Sequence, residues 1–219
     1  SNIVDVYLLE RTYDNLFRIW LQEGGSKPTV STADQLRINY SGTLNPLKSL
    51  SDQIIYHPVK YKILFGSNAE EQLQATFKVV KNPKTNVSDA VIKTRVIAAI
   101  NEFFALDNWD FGDAFYFTEL AAYIHNQLAP DLLTAVIVPN QAGQTFGSLF
   151  QINSAADEIF ISGATVDDVS IITALGANQL AASGTVVTST STATTTNTTT
   201  GSAVSGSTTT GSGSSTGSS

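Results

Sequence analysis

The clearest candidate for metal chemistry in this sequence is a run of oxygen-bearing side chains near its middle. The run consists of Asp107, Asn108, Asp110 and Asp113. A calcium loop that began at Asp107 would place ligands at its third, fifth and twelfth positions and glycine at its sixth. Gly112 meets the glycine requirement, but Trp109 and Phe111 occupy ligand positions. We therefore predict no metal site and interpret the run as a polar loop between two helices, with Asp113 as a helix cap.

Acid–base catalysis would have to use a histidine or a pair of adjacent acids. His57 lies between Tyr56 and Pro58, and His125 falls in a predicted helix; neither lies beside a nucleophile motif. The acid pairs are Asp157-Glu158 and Asp167-Asp168, both in predicted strands. Successive side chains of a strand point to opposite faces, so neither pair can share one site without a bulge. We predict no catalytic residue and no enzymatic activity.

The sequence offers little for cofactor binding. The glycine-containing segments 24–25 and 143–147 are too sparse for a phosphate-binding fingerprint. The absence of cysteine excludes disulfides, thiol nucleophiles and cysteine-ligated metals. We therefore predict no cofactor.

Aromatic side chains are concentrated around the same polar loop. This group, called the aromatic segment below, consists of Trp109, Phe111, Phe115, Tyr116 and Phe117. Five aromatic residues within nine positions exceed what a short turn needs for its own packing. Two interpretations stay open: some rings pack the neighbouring helices onto a sheet, and the others form an exposed anchor for a partner. We name the segment as the candidate interface.

Charge is divided unevenly along the chain. All 12 Lys and Arg residues lie within residues 1–95 together with nine acids, a net charge of +3. Residues 96–219 contain ten acids and no Lys or Arg, a net charge of −10. A surface without cations cannot neutralise phosphates, so we predict no nucleic-acid partner. Opposite charges on the two segments favour head-to-tail contact between copies of the chain.

The sequence lacks both a long apolar run and methionine. No apolar run reaches 18 residues, so we predict no membrane association. The chain also lacks methionine, which indicates a processed chain or a fragment of a longer protein.

Residues 1–70 are predicted to form an N-terminal α+β lobe. Alternation of apolar and polar residues indicates strands, and a Ser or Thr before an apolar pattern indicates a helix start. The predicted elements are strands over residues 3–9, 17–21 and 60–65 and a helix over 33–40 capped by Ser31 or Thr32.

Residues 71–182 are predicted to form an α+β assembly domain. A strand over 72–79 precedes a helix that begins after Ser88, and a second helix ends before Pro130. The apolar run 132–138 predicts a buried central strand. Shorter strands are predicted over 149–152, 158–162 and 165–172. The order β-α-α-β-β-β predicts two helices covering one face of a small sheet.

Residues 183–219 consist mainly of Thr, Ser and Gly and contain no charged or aromatic residue. Such a composition buries too little apolar surface to offset the entropy of ordering the backbone. We predict a disordered or extended low-complexity tail.

Several segments resemble the baseplate J-like family, in particular the C-terminal part of T4-type phage baseplate wedge proteins that build the inner ring. Residues 2–9 resemble its opening strand, and residues 47–52 with His57-Pro58 its turn, short helix and strand. Residues 91–139, which include Trp109-Asp110-Phe111-Gly112-Asp113, are similar to its helix, loop, helix and strand. Residues 150–172 are similar to its end. The likeness covers about residues 2–175 and includes neither the long N-terminal portion of these proteins nor the tail.

The resemblance implies a structural role in a contractile phage tail. Copies would pair into wedges, and wedges would join into a ring around the tail hub, without enzymatic activity. The implied partners are the chain itself, as a dimer or ring, and other baseplate wedge and hub proteins. The implied location is the tail baseplate of the virion, and the host cytoplasm during assembly.

A secreted or surface binding module on a flexible Ser/Thr-rich stalk is the alternative. Asn39, Asn86 and Asn197 begin N-glycosylation sequons, although such triplets arise by chance in a chain rich in Ser and Thr. Glycans at Asn39 or Asn86 would favour the module.

Overall fold

The computed structural model describes residues 2–49, 53–141, 151–173 and 176. Within these residues the fold is mixed α+β, with four α-helices and nine strands in four small sheets. The helices are α1 (Arg11–Glu23), α2 (Ala33–Tyr40), α3 (Asp89–Phe103) and α4 (Phe117–Leu128). The strands are β1 (Ile3–Leu8), β2 (Gln53–Pro58), β3 (Lys60–Leu64), β4 (Ala75–Lys81), β5 (Ala114–Tyr116), β6 (Leu132–Pro139), β7 (Gln151–Asn153), β8 (Glu158–Ser162) and β9 (Val169–Ile172). The predicted tail lies outside the described residues.

Parallel and antiparallel pairs both occur. β1 pairs with β2 in parallel, and β3 pairs with β8 in parallel. β4 lies between β6, which is antiparallel to it, and β9, which is parallel to it. β5 and β7 form an antiparallel pair. Because parallel neighbours need long crossover connections, segments far apart in sequence are brought together.

The predicted strand over residues 17–21 is wrong, because these residues belong to α1. Tyr13 and Phe17 are buried and Leu21 packs against the core. Their spacing of four residues places them on one face of a helix. The strand that pairs with β1 is β2.

The predicted starts of α2 and α3 are confirmed, with Thr32 rather than Ser31 as the cap of α2. The Thr32 hydroxyl accepts a hydrogen bond from the Gln35 amide at 3.3 Å, and the Gln35 side chain accepts one from the Thr32 amide at 2.9 Å. The Ser88 hydroxyl accepts one from the Val91 amide at 3.4 Å. Each bond satisfies a donor that the first helical turn leaves free.

The prediction of a central strand over 132–138 is wrong in its placement. Among the described residues β6 pairs with β4 alone, and the Leu133 side chain is 53% exposed. β4 is the central strand, and its residues Phe77 and Val79 are buried. The apolar run therefore forms an edge strand of the described three-stranded sheet.

The helices α3 and α4 contact each other, and each contacts a different edge strand of the β6-β4-β9 sheet. α4 packs against β6, while α3 packs against β9 and β8. The mixed α+β class is confirmed, but the order β-α-α-β-β-β is not, because β5 lies between the two helices. Residues Val166–Asp168 form a 3-10 turn where a continuous strand over 165–172 was predicted.

The core is centred on Phe65, which is completely buried. Its ring lies 4.9 Å from Phe77 and 6.0 to 6.2 Å from three other phenylalanines. Those three are Phe104, Phe115 and Phe117. These ring contacts join residues of the predicted N-terminal lobe, 1–70, and of the predicted assembly domain, 71–182, in one core. None of the described helices is long and apolar enough to cross a membrane.

The candidate interaction surface around Trp109

The structure separates the aromatic segment into buried and exposed members. Phe115 and Phe117 are buried, with their rings 4.8 Å apart. Both rings contact Phe65 in the core. These two residues therefore pack β5 and the first turn of α4 onto the rest of the molecule, as the first interpretation of the segment describes.

Trp109 is half-buried and held in one orientation. Its indole nitrogen donates a hydrogen bond to the Phe103 carbonyl oxygen at 2.8 Å. Its ring stacks on Phe104 at 5.4 Å and meets the edge of Phe160 at 5.3 Å. Phe111 and Tyr116, in contrast, are 38% and 40% exposed. They are the members of the segment that a partner could touch directly.

The polar run forms the loop that carries these rings. The Asp113 carboxylate accepts a hydrogen bond from the Asp110 amide at 2.7 Å. The Asn108 side chain donates to the Glu102 carbonyl oxygen at 2.9 Å. Asp113 therefore closes the loop, and the prediction that it caps the helix is wrong. No group of three or more His, Asp or Glu side chains among the described residues is placed to hold a metal ion.

An apolar groove lies on one side of Trp109. It is a cavity of about 300 Å³ lined chiefly by Leu8, Leu9, Leu106, Trp109, Phe111 and Ile159. Leu106 and Phe111 are both more than one-third exposed. The groove therefore joins the end of β1, the loop and β8 in one solvent-accessible apolar surface.

Trp109 also lines a second cavity, the aromatic–acidic pocket. It has a volume of about 550 Å³ and is lined chiefly by Phe103, Trp109, Asp113, Tyr116, Glu119 and Tyr123. The Phe103 ring lies 5.6 Å from Trp109 and 5.4 Å from Tyr123. None of the residues that line this cavity is Lys or Arg. Aromatic faces and carboxylates without a cation make a pocket suited to a positively charged group.

The uneven charge of the sequence is partly neutralised by pairing within the fold. Glu158 of β8 lies 3.8 Å from the ammonium groups of both Lys60 and Lys62 on β3. Asp131 lies 2.6 Å from the Arg95 guanidinium. By contrast, the acids around the pocket make no ion pair with the described residues. They are Asp113 and Glu119, which line the pocket, and Glu102, Asp107 and Asp110, which are near them in sequence; Asp110 lines the apolar groove.

The histidines and acid pairs take up separate positions. His57 stacks on Tyr7 at 4.6 Å, and its ring nitrogen lies 2.8 Å from the Asp5 carboxylate. His125 lies on α4. Glu158 accepts a hydrogen bond from the Ala155 amide at 2.9 Å, and Asp168 accepts one from the Thr165 amide at 2.7 Å. Asp167 and Asp168 lie in a 3-10 turn, so the prediction that this pair lies on a strand is wrong.

Sequence reasoning missed the residues that complete the two cavities. Leu8 and Ile159 lie on strands that are distant in sequence, Leu9 directly follows β1, and Tyr123 lies on α4. One signal was present for Tyr123, because it follows Glu119 by four positions and shares its side of the helix. No protein-family model matches the chain, and no curated protein matches it.

Proposed function

We propose that this chain is a structural assembly protein that associates with copies of itself through the surface around Trp109. The observation that carries the proposal is the pair of open cavities that share Trp109 in their linings. A rigid aromatic residue between an apolar groove and a charged pocket is typical of an interface hot spot. Two exposed rings, Phe111 and Tyr116, extend the same surface.

The fixed position of Trp109 supports this assignment. Its hydrogen bond to Phe103 and its stacking on Phe104 hold the ring before a partner arrives. A preformed contact surface loses little conformational entropy on association, so more of the contact energy contributes to affinity.

A ring-forming component of a contractile phage tail baseplate is the specific form that we propose. The sequence resemblance to the baseplate J-like family supports it, with two helices covering one face of a small sheet as the assembly unit. Copies would pair into wedges and join around the tail hub in the virion, after assembly in the host cytoplasm. Other wedge and hub proteins would be further partners, and the role would be structural rather than enzymatic.

Sedimentation velocity of the full chain tests self-association. We expect the mean mass to rise with protein concentration. Phe111→Ser removes an exposed ring from the groove and should weaken association by about tenfold or more. Ile38→Ser is the matched control, because Ile38 is 73% exposed on α2 and does not line the groove.

Two results would contradict the proposal. A chain that stays monomeric at all concentrations does not associate with itself. Equal weakening by Phe111→Ser and Ile38→Ser would remove the surface around Trp109 as the interface. The urea unfolding midpoint of each variant would show that folding is unchanged.

The alternative, a surface binding module, has one supporting observation. Asn86 is exposed in the segment before α3, where a glycan would find room. The intact mass of the natively produced protein distinguishes the two roles, because a glycan at Asn86 adds mass and an assembly protein of the cytoplasm carries none.

A further inference from the structure

Helix α3 has lysines near its first turns and an aromatic and acidic pocket at its last residue. Lys84 lies in the turn before α3 and Lys93 in its first half, and neither makes an ion pair with the described residues. Lys84 is exposed and Lys93 partly exposed. We call these two residues the basic end of α3. The aromatic–acidic pocket begins at Phe103, the last residue of the helix.

The basic end cannot occupy the pocket of its own chain. Lys93 and Phe103 are ten positions apart, which corresponds to about 15 Å along a straight helix. That separation exceeds the reach of one lysine side chain. A lysine of the basic end can therefore bind this pocket only in another copy of the chain.

The pocket has the chemistry that an ammonium group needs. The faces of Phe103, Trp109 and Tyr123 attract a cation through their π electrons, and Asp113 and Glu119 supply negative charge. Glu102 adds to this charge beside Tyr123. Burial raises the pKa of Tyr123, and the charge of Glu102 and its hydrogen bond raise it further.

We propose that the aromatic–acidic pocket of one copy binds a lysine from the basic end of α3 in a second copy. This inference rests on the proposed self-association and names the contact that produces it. A second copy is the favoured occupant because the chain carries both halves of the charge complement on separate surfaces. A single contact of this kind joins two different surfaces and can extend into rings or filaments, whereas two reciprocal contacts close a two-fold dimer.

Charge reversal in the full chain tests the contact by sedimentation velocity. Glu119→Lys should raise the dissociation constant about tenfold or more, and Lys84→Glu with Lys93→Glu should do the same. Combining all three substitutions should restore association to within about threefold of the parent, because the contact is rebuilt with its charges exchanged. Glu119 is chosen over Asp113 because Asp113 also holds the loop through the Asp110 amide.

Matched controls carry the same change in net charge elsewhere. Glu23→Lys reverses an exposed acid at the end of α1, and Arg11→Glu with Lys48→Glu reverses two exposed cations. None of these three residues makes an ion pair with the described residues. We expect these controls to change the dissociation constant by less than about threefold.

A second measurement follows the pocket itself. Trp20→Phe leaves Trp109 as the remaining tryptophan, because the chain contains two. Association should then reduce quenching of Trp109 by acrylamide, and Glu119→Lys should abolish that protection at the same protein concentration.

Sedimentation of the variants distinguishes a wrong lysine contact from a wrong assembly role. Self-association that Phe111→Ser weakens but the charge reversals leave unchanged would overturn the lysine contact and retain the assembly role. Loss in both reversals without recovery in the combined variant would also overturn it. A chain that remains monomeric at every concentration would overturn both.

Discussion

The indole nitrogen of Trp109 donates a hydrogen bond to the carbonyl oxygen of Phe103 at 2.8 Å. Phe103 is the last residue of α3, where backbone carbonyls have no partner within the helix. The bond therefore closes the helix end and fixes the ring between the apolar groove and the aromatic–acidic pocket. One contact serves both the stability of the helix and the position of the proposed interface.

Replacing Trp109 by Phe should lower the free energy of unfolding by about 1–2 kcal/mol, because the half-buried carbonyl of Phe103 loses its donor. Urea denaturation measures the change. Trp20→Phe is the control, because the Trp20 indole donates to the Gly25 carbonyl oxygen at an exposed site. We expect a smaller loss there, and equal losses would contradict a special role for the Trp109 bond.

Gly66→Ala should be among the most destabilising single changes in the chain. Gly66 has a φ of +72°, and a Cβ at this position would lie 1.9 Å from the backbone oxygen of Gly163. Gly24 has a similar φ of +78° but open space around it, so Gly24→Ala carries the conformational cost alone. Thermal or urea unfolding should show Gly66→Ala costing at least about 2 kcal/mol more than Gly24→Ala. Equal costs would mean that the close approach to Gly163 relaxes freely.

Tyr61 should make the fold sensitive to alkali. Burial raises the pKa of the Tyr61 hydroxyl above 10.0, and the hydrogen bond to Asp14 raises it further, while the Arg18 charge lowers it. Because the folded state holds this proton more tightly than the unfolded state, the contribution to stability is complete below pH 10.0 and falls as pH rises above it. Urea midpoints from about pH 8 to about pH 11 measure the decline.

Tyr61→Phe provides the control for this pH dependence. The variant loses the hydroxyl that donates to Asp14 and accepts from Arg18 at 3.3 Å, so it should be less stable at neutral pH. It should also lose less stability on going to alkaline pH. An unchanged alkaline slope would show that other groups cause it.

Asp131 should contribute the opposite pH dependence. The Thr85 hydroxyl and then the Arg95 guanidinium, each 2.6 Å from its carboxylate, hold the pKa of Asp131 below 3.8. Its folded pKa is depressed, so its contribution is present above pH 3.8 and is lost as pH falls through the folded value. Asp131→Asn should lower the urea midpoint at neutral pH, and the gap from the parent should narrow in acid.

Asp34→Asn is the matched control for Asp131. Asp34 pairs with Arg37 at 3.1 Å, but both side chains are largely exposed, at 78% and 64%. Exposed pairs contribute little to stability. A midpoint change equal to that of Asp131→Asn would contradict the importance of the Thr85 and Arg95 contacts.

Elements with local signals were predictable from the amino-acid pattern. The Thr32 and Ser88 caps use hydrogen bonds to residues three positions away. The buried face of α4 follows from the recurrence of Leu120, Ile124 and Leu128 at a spacing of four. In each case the stabilising contact lies within one helical turn, so neighbouring residues are enough to specify it.

The apolar pattern predicted the wrong element or placement where an apolar run fits both a helix and a strand, or both an edge and a central strand. Residues 17–21 are apolar enough for a strand, yet Tyr13 and Phe17 place them in a helix because both rings must reach the same core. Similarly, the run that forms β6 predicts burial but cannot show which strands pair with it. Whether a strand is central depends on partners distant in sequence.

The amino-acid sequence by itself determined the mixed α+β class, the caps of α2 and α3 and the concentration of aromatic rings between residues 109 and 117. The tertiary structure decided which of those rings are buried, because Phe115 and Phe117 meet Phe65, about 50 positions earlier. It also decided which charges are paired: the β3–β8 register brings Lys60 and Lys62 beside Glu158, whereas the acids near Trp109 form no ion pair with the described residues. Local patterns specify backbone conformation through nearby hydrogen bonds, whereas burial and charge pairing depend on long-range packing that neighbouring residues do not encode.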